Sequence, residues 1–149
     1  MPEIAGTGVI AHAIQLAIAP VFLLTGIAGL LNVMATRLAR VIDRTRTFEN
    51  TWAALDGKAR AAARAELASL EKRRRACSWS INYCTTAALL ICVVIVALFV
   101  EEFFSTSLRG VAGALFVAAM VALIGGLGCF LREVYLATHA TSIDLARFE

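Results

Sequence analysis

The sequence predicts an all-α membrane protein with three transmembrane spans, and two observations lead to this fold class. First, 60% of the 149 residues are hydrophobic and the mean hydropathy is +0.78, far above what a soluble core of this length needs. Second, three long runs contain no charged residue, and about 20 apolar residues suffice to cross the hydrocarbon of a bilayer. We therefore expect a single membrane domain over residues 1–149.

The first span is predicted at about residues 13–36 and continues as a helix outside the membrane. No charged residue occurs between Ile14 and Thr36. After Arg37, apolar residues recur at steps of three and four with arginines between them, which is typical of an amphipathic helix. Because no Gly or Pro follows Gly29 before residue 50, we expect one uninterrupted helix.

Residues 37–75 are predicted to form a short cytoplasmic antiparallel helical hairpin. Turn residues precede its second helix, which we expect to begin near Lys58 with Asp56 as its cap. Eleven of the chain's fourteen Lys and Arg lie in this segment, so the positive-inside rule places it in the cytoplasm. A heptad stripe leads from the second helix into the next span; it comprises Ala63, Leu67, Leu70, Arg74, Cys77, Ile81 and Cys84.

The second span is predicted at about residues 77–100 and the third at about 110–131. The turn between them, with Ser105–Ser107, and the N-terminus are then expected outside the cell, since neither is rich in Lys or Arg. The tail, residues 132–149, is expected in the cytoplasm.

One face of the first span carries polar side chains. An exposed polar group inside a membrane is costly, so these residues must face protein or water. Two alternatives follow: the groups satisfy one another across a helix pair, or they line a wetted path. The candidate pore-lining residues are Gln15, Phe22, Thr25, Gly29, Asn32 and Thr36.

Charged and polar residues extend this interpretation beyond the first span. Arg37, Arg40 and Arg44 continue roughly the same face and predict an inner basic ring. Glu101 and Glu102 lie where an outer mouth of a pore is expected. Asn82 and Thr86 in the second span are predicted to form polar contacts between helices.

Small residues recur every four positions along the third span. This spacing lets another helix approach closely, so it predicts a packing face. The sequence leaves open whether that face meets the chain's own first span or a neighbouring subunit. The residues are Gly110, Ala114, Ala118, Ala122 and Gly126.

No pattern in the sequence indicates an enzyme, a metal site or a cofactor. His12 and His139 are expected on opposite sides of the membrane, and the four cysteines form no CxxC motif. Phosphate-binding loops and nucleophile elbows are missing from the sequence. The run Lys72-Arg73-Arg74-Arg75 predicts contact with anionic lipid headgroups, and the net charge of +3 requires no nucleic-acid partner.

Two segments resemble a known family. They are APVFLLTGIAGLLNVMATRLARVIDRTR, from Ala19 to Arg46, and FLREV, from Phe130 to Val134. Both are similar to a bacterial family of small three-span membrane proteins known only as a domain of unknown function. The resemblance implies an inner-membrane protein with the topology given above, and it implies no activity.

The architecture favours a homo-oligomeric ion channel or pore whose first span lines the path. Three spans enclose little space alone, so symmetry would have to build the pore. The alternative is a membrane scaffold, or an insertase-like assembly factor, that acts through the cytoplasmic hairpin. The mass of the solubilised particle distinguishes the two, because a monomer excludes the channel.

Overall fold

The computed structural model describes residues 3–52, 55–104 and 108–145 of the chain. These residues form no strand and three helices: α1, Glu3–Thr51; α2, Gly57–Phe104; and α3, Arg109–Leu145. All three contain segments long and apolar enough to cross a membrane. The prediction of an all-α protein with three membrane-spanning helices is therefore confirmed. The turn at Ser105–Ser107 and the side chain of His139 lie outside the described residues.

α1 passes from its apolar part into its basic part without a break, as the sequence predicts. Pro20 lies inside the helix and does not end it. Beyond the apolar part, the hydroxyls of Thr45 and Thr47 each donate a hydrogen bond to the carbonyl four residues earlier, at 3.0 Å. These bonds satisfy polar side chains within the helix itself.

The starts of α2 and α3 are defined by backbone hydrogen bonds. The amide of Arg60 donates to the carbonyl of Asp56 at 2.7 Å, and that of Ala112 donates to Leu108 at 2.9 Å. A residue whose carbonyl accepts the first bond of a helix occupies the cap position. Asp56 therefore caps α2, at the position predicted from the sequence.

Backbone contacts divide the chain into two compact units. We call residues 1–31 and 83–124 the apolar unit, and residues 32–82 and 125–149 the charged unit. Each unit contains a segment of all three helices. Their cores differ in composition, so they are described separately.

The core of the apolar unit consists of small and aliphatic side chains. Most of them recur at steps of three, four or seven residues along their helices, the spacing of knobs-into-holes packing. The small size of the α3 residues lets the other helices approach closely. The buried residues are Ala17, Pro20 and Ile27 of α1, Cys84, Ala87, Ile91 and Val94 of α2, and Ala112 and Ala119 of α3.

The core of the charged unit uses the same spacing but includes polar groups. Met34 and Val41 of α1 are buried, and α2 contributes members of the predicted heptad stripe, whose last residue, Cys84, lies in the apolar unit. Within that stripe Ala63, Leu70, Cys77 and Cys84 are buried, Leu67 and Ile81 are half-buried, and Arg74 is exposed. The stripe is thus confirmed for its apolar members. α3 contributes Gly126 and Glu133, both buried.

Candidate functional site

A fully buried carboxylate, that of Glu133 in α3, lies in the core of the charged unit. Its Oε2 accepts a hydrogen bond from Arg37 Nη1 at 3.1 Å. Its Oε1 accepts two from Arg73, from Nη2 at 3.0 Å and from Nε at 3.3 Å. The three helices therefore contribute one charged residue each to a single cluster, which we call the Glu133 triad.

Helical spacing explains why both arginines reach the core. Arg37 lies three residues after the buried Met34, and Arg73 lies three after the buried Leu70. Residues three or four apart share a helix face, so each arginine starts from the buried face of its helix. Their side chains remain 39% and 25% exposed, which leaves part of each guanidinium hydrated.

Phe130 gives Arg37 a second contact with α3. The guanidinium carbon of Arg37 lies 5.3 Å from the centroid of the Phe130 ring, within the range of a cation–π interaction. Phe130 is three residues before Glu133, so ring and carboxylate share one face of α3. Arg37 is therefore held by a carboxylate and an aromatic ring together.

The Glu133 triad fixes the three helices of the charged unit to one another. A buried carboxylate without a partner would cost several kcal/mol, whereas two arginines and three hydrogen bonds compensate its charge here. Both oxygens are engaged, which suits a role in positioning helices. Arg37 directly follows the uncharged run of α1, and Glu133 lies two residues beyond that of α3. The triad thus marks the basic end of the apolar runs.

Ser80 makes a second buried polar contact in the charged unit. Its hydroxyl donates to the carbonyl oxygen of Gly126 at 2.6 Å and lies 3.2 Å from the sulfur of Met34. The glycine has no side chain, so α2 can approach its carbonyl. This bond joins α2 to α3. The polar contacts expected of Asn82 and Thr86, whose side chains are exposed, stay a prediction.

All of the predicted pore-lining residues are exposed in the single chain. In α1 the buried Ile27 and Met34 are each flanked, two residues away on either side, by members of the polar face. Two residues correspond to about 160° round a helix with 3.6 residues per turn, so that face is nearly opposite the core. The exposed residues are Gln15, Phe22, Thr25, Gly29, Asn32 and Thr36.

The polar residues of this face differ in how well they are satisfied. The hydroxyls of Thr25 and Thr36 donate to the carbonyls of Val21 and Asn32, at 3.3 and 2.9 Å. A hydroxyl bonded to its own backbone costs little in an apolar surrounding. The side-chain amide of Asn32 is larger, with two donors and an acceptor. Asn32, and Gln15 with the same amide group, are therefore the residues of this face that most require a polar neighbour.

Two of the three arginines of the predicted inner basic ring pair with carboxylates. Arg37 belongs to the Glu133 triad, and Arg44 binds the Glu66 carboxylate through Nη2 at 3.0 Å and Nε at 3.2 Å. Arg40 is exposed. Of the three, Arg40 is the residue whose charge the chain presents to its surroundings.

The small-residue stripe of α3 is mostly outside the chain's own core. Gly110, Ala114 and Ala118 are exposed, Ala122 is half-buried, and Gly126 is buried. The buried residues of α3 recur every seven positions instead, at 112, 119, 126 and 133. Only Gly126 is common to both patterns, and there the glycine accommodates Ser80. Packing against the chain's own helices therefore explains the small residue at one of the five stripe positions, Gly126.

Three of the four cations at residues 72–75 form ion pairs with carboxylates. Arg73 belongs to the Glu133 triad. Arg74 binds both oxygens of Glu71, at 2.7 and 2.9 Å, and Arg75 binds one of them at 2.9 Å. The bonds from Arg74 and then Arg75 lower the pKa of Glu71 to about 2. Lys72 is exposed.

An acidic groove in the apolar unit contains the predicted outer pair. Glu101 is bonded to Arg109 Nε at 2.9 Å, while its Oε2 is buried and has no hydrogen-bond partner among the described residues. Glu102 and His12 line the same groove of about 260 Å³. Among the described residues no cluster of His, Cys, Asp and Glu could hold a metal ion, and the four cysteines form no disulfide bond with one another.

The buried contacts of Glu133 and Ser80 were not predicted from the sequence, although the spacing of both residues indicates a core position. Glu133 continues the seven-residue spacing of Ala112, Ala119 and Gly126, and Ser80 lies seven residues before Ala87. A polar residue at a heptad core position is a candidate for a buried contact. The signal was hidden because Glu133 lies two residues beyond the predicted third span, where a charged residue is expected in water.

The family model described as "Protein of unknown function (DUF2721)" matches residues 17–143 of the chain. This match includes all three residues of the Glu133 triad and most of the predicted pore-lining face. Neither a curated protein nor a solved structure matches the chain.

Proposed function

The chain belongs to the DUF2721 family of proteins of unknown function, and we propose that it is a homo-oligomeric ion channel or pore of the bacterial inner membrane. Identical α1 helices surround the path and present Gln15, Thr25 and Asn32 to it. The segment 37–75 lies in the cytoplasm, since it carries eleven of the fourteen Lys and Arg. We assign the protein no enzymatic activity and no cofactor.

The exposed amide of Asn32 is the observation that carries this function. It lies nearly opposite the buried Met34, in a helix segment with no charged residue for eighteen positions before it. An amide that faces lipid cannot form its hydrogen bonds and costs free energy in every copy. A neighbouring subunit or water must therefore cover it, and a symmetric assembly holds water chiefly at its axis.

The exposed surface of α3 supports assembly from several copies. Only 11% of its most apolar stretch is buried within the chain. Gly110, Ala114 and Ala118 are exposed, and a Cβ atom at Gly110 would meet nothing within 4 Å. Small residues on an open face permit close contact with a helix of another copy.

The Glu133 triad sets the rotation of α1 about its own axis. Arg37 is pinned by Glu133 and Phe130, and it lies one residue after Thr36 and five after Asn32. Because successive residues of a helix differ by about 100°, fixing Arg37 also fixes the direction of Asn32. The triad thereby keeps the polar face turned away from the chain's own core.

Charged groups at the two ends of the path are the candidates for ion selection. Arg40 is exposed at the basic end of α1. Glu101 and Glu102 line a groove of the apolar unit, on the side we assign to the outside. Rings of such groups concentrate ions of opposite charge. The two rings act in opposite senses, so the sign of the conducted ion is left to measurement.

Ion flux from liposomes that contain the purified full-length chain tests the channel. We expect the wild type to conduct in a cation or an anion gradient, and Asn32→Leu to change that conduction without dispersing the oligomer. Val33→Leu is the matched control, because Val33 is an exposed apolar neighbour, 49% exposed. An assembled wild type that is silent in both gradients contradicts the channel.

A second candidate is a membrane scaffold or insertase-like assembly factor that acts through the hairpin of residues 37–75. It is favoured by the contacts that order this segment. Arg44 binds Glu66 at 3.0 Å, and the guanidinium of Arg64 lies 5.8 Å from the ring centroid of Trp52. An ordered segment outside the membrane offers a surface to partner proteins. Silence in both ion gradients would favour this candidate.

A further inference from the structure

We propose that a groove of the charged unit, between α2 and α3, binds the phosphate headgroup of an anionic phospholipid. The groove has a volume of about 450 Å³. Its lining includes Lys72, Arg75 and Trp79 from α2, and Cys129, Arg132 and Leu136 from α3. This site is separate from the polar face of α1 and does not depend on ion conduction.

The cations of the groove are those that do not pair with the buried Glu133 in the core of the charged unit. Lys72 and Arg132 are exposed, and the side chain of Arg75 is 72% exposed although it shares Glu71 with Arg74. Arg73, between them in sequence, turns to Glu133 instead. Within the run of four cations, Arg73 thus stabilises the core while Lys72 and Arg75 stay exposed to the groove. Arg132 of α3 is a further exposed cation beside them.

The chemistry of the groove matches a phosphodiester. Arginine and lysine donate charge-assisted hydrogen bonds to phosphate oxygens. Basic pockets between transmembrane helices on the cytoplasmic side are typical sites for anionic lipid headgroups. Three cations drawn from two helices can surround one phosphate, which a single row of arginines along one helix cannot do.

A lipid, rather than a soluble phosphate, is indicated by where the groove lies. Lys72 and Arg75 immediately precede the uncharged run of α2, and Arg132 follows that of α3. The remaining lining is apolar or aromatic, with Trp79 59% exposed. Trp favours the interface between headgroups and acyl chains. A ligand with an anionic head and an apolar tail satisfies both parts of the lining.

The fluorescence of Trp79 reports occupancy of the groove. The chain has two tryptophans, so a Trp52→Phe background leaves Trp79 as the single emitter. The full-length chain is placed in phosphatidylcholine vesicles, and phosphatidylglycerol with brominated acyl chains is titrated in. Phosphatidylcholine with the same brominated chains measures quenching by a neutral lipid.

We expect phosphatidylglycerol to quench Trp79 at lower mole fraction than phosphatidylcholine. Lys72→Gln with Arg132→Gln should weaken this preference by roughly thirtyfold, at about fivefold for each cation removed near a membrane surface. Lys58→Gln with Arg60→Gln removes the same two charges from exposed positions of α2 outside the groove. That control should keep the preference.

Three results would overturn the lipid site. Equal quenching by the two lipids would show no recognition of the headgroup. An equal loss in both double variants would assign the preference to overall charge. Release of quenching by millimolar inorganic phosphate would assign the groove to a soluble anion. Thermal unfolding of each variant in detergent checks that the helices remain folded, and Lys72→Gln alone should give an intermediate preference.

Discussion

The apolar and charged units are built on the same helical spacing but differ in what occupies the core. On α3, Ala112 and Ala119 occupy buried positions of the apolar unit, and seven-residue steps continue to Gly126 and Glu133 in the charged unit. In the first unit, helices meet through methyl groups. In the second, they meet through an ion cluster and the hydroxyl of Ser80.

This difference teaches how each unit selects one arrangement of its helices. Contacts between small apolar residues tolerate sliding and rotation, because many registers bury similar surfaces. A buried carboxylate that needs two arginines is satisfied in one register only, at a cost in stability. We infer that the charged unit specifies the register and rotation of the helices, while the apolar unit contributes close packing.

The largest effect is expected from Glu133→Ala. The change leaves Arg37 and Arg73 adjacent without a counter-charge, which should lower the free energy of unfolding by about 3 kcal/mol or more. Thermal and denaturant unfolding in detergent measure it. Glu66→Ala is the control, because its pair with Arg44 is exposed on both sides and should be worth less than about 1 kcal/mol. Equal losses for the two variants would show that the Glu133 triad contributes no more to stability than an exposed ion pair.

A smaller loss is expected when the core of the apolar unit is overpacked. Ala119 is fully buried, so Ala119→Leu should lower the free energy of unfolding by about 1 to 3 kcal/mol. Ala118 is its exposed neighbour. Ala118→Leu should leave the unfolding of the chain nearly unchanged and should loosen the oligomer instead, which the particle mass reports. If Ala118→Leu unfolds the chain as readily as Ala119→Leu, the division into core and outer face of α3 is wrong.

The smallest effect is expected when the whole Glu133 triad becomes apolar. Arg37→Met, Arg73→Met and Glu133→Leu together remove every charge of the cluster, so no ion is left unpaired. Buried ion clusters replaced in this way commonly keep or gain stability. The free energy of unfolding should therefore return to within about 1 kcal/mol of the wild type. A triple variant as unstable as Glu133→Ala would mean that side-chain shape, and not charge, accounts for the loss.

The fold was predictable from the sequence because apolar runs and helical spacing are local signals. The three helices, the unbroken passage of α1 beyond Arg37 and the cap at Asp56 all followed from neighbouring residues. The heptad stripe from Ala63 to Cys84 followed for the same reason. Each of these features depends only on a residue's position along one helix, and the helix period determines which side of the helix that residue occupies.

The charged contacts were not predictable in the same way, because they join residues far apart in sequence. Arg37 and Glu133 are separated by 96 positions, and Arg73 and Glu133 by 60. Spacing on one helix indicates which face a residue occupies but not which residue of another helix it meets. The sequence therefore predicted Arg37 in an inner basic ring and Arg73 in contact with lipid headgroups, and it gave Glu133 no role. The period-four stripe of α3 was likewise visible, while the face that α3 buries follows period seven.

The mass of the purified particle tests the central claim most directly, because a path lined by α1 requires several copies. Light scattering or native mass spectrometry of the full-length chain in a mild detergent measures the protein mass alone. We predict a mass several times the 15.9 kDa of one chain, retained by Asn32→Leu. A particle of 15.9 kDa, stable and folded, would contradict the channel, because a single chain buries its core and leaves the polar face of α1 without an axis to line.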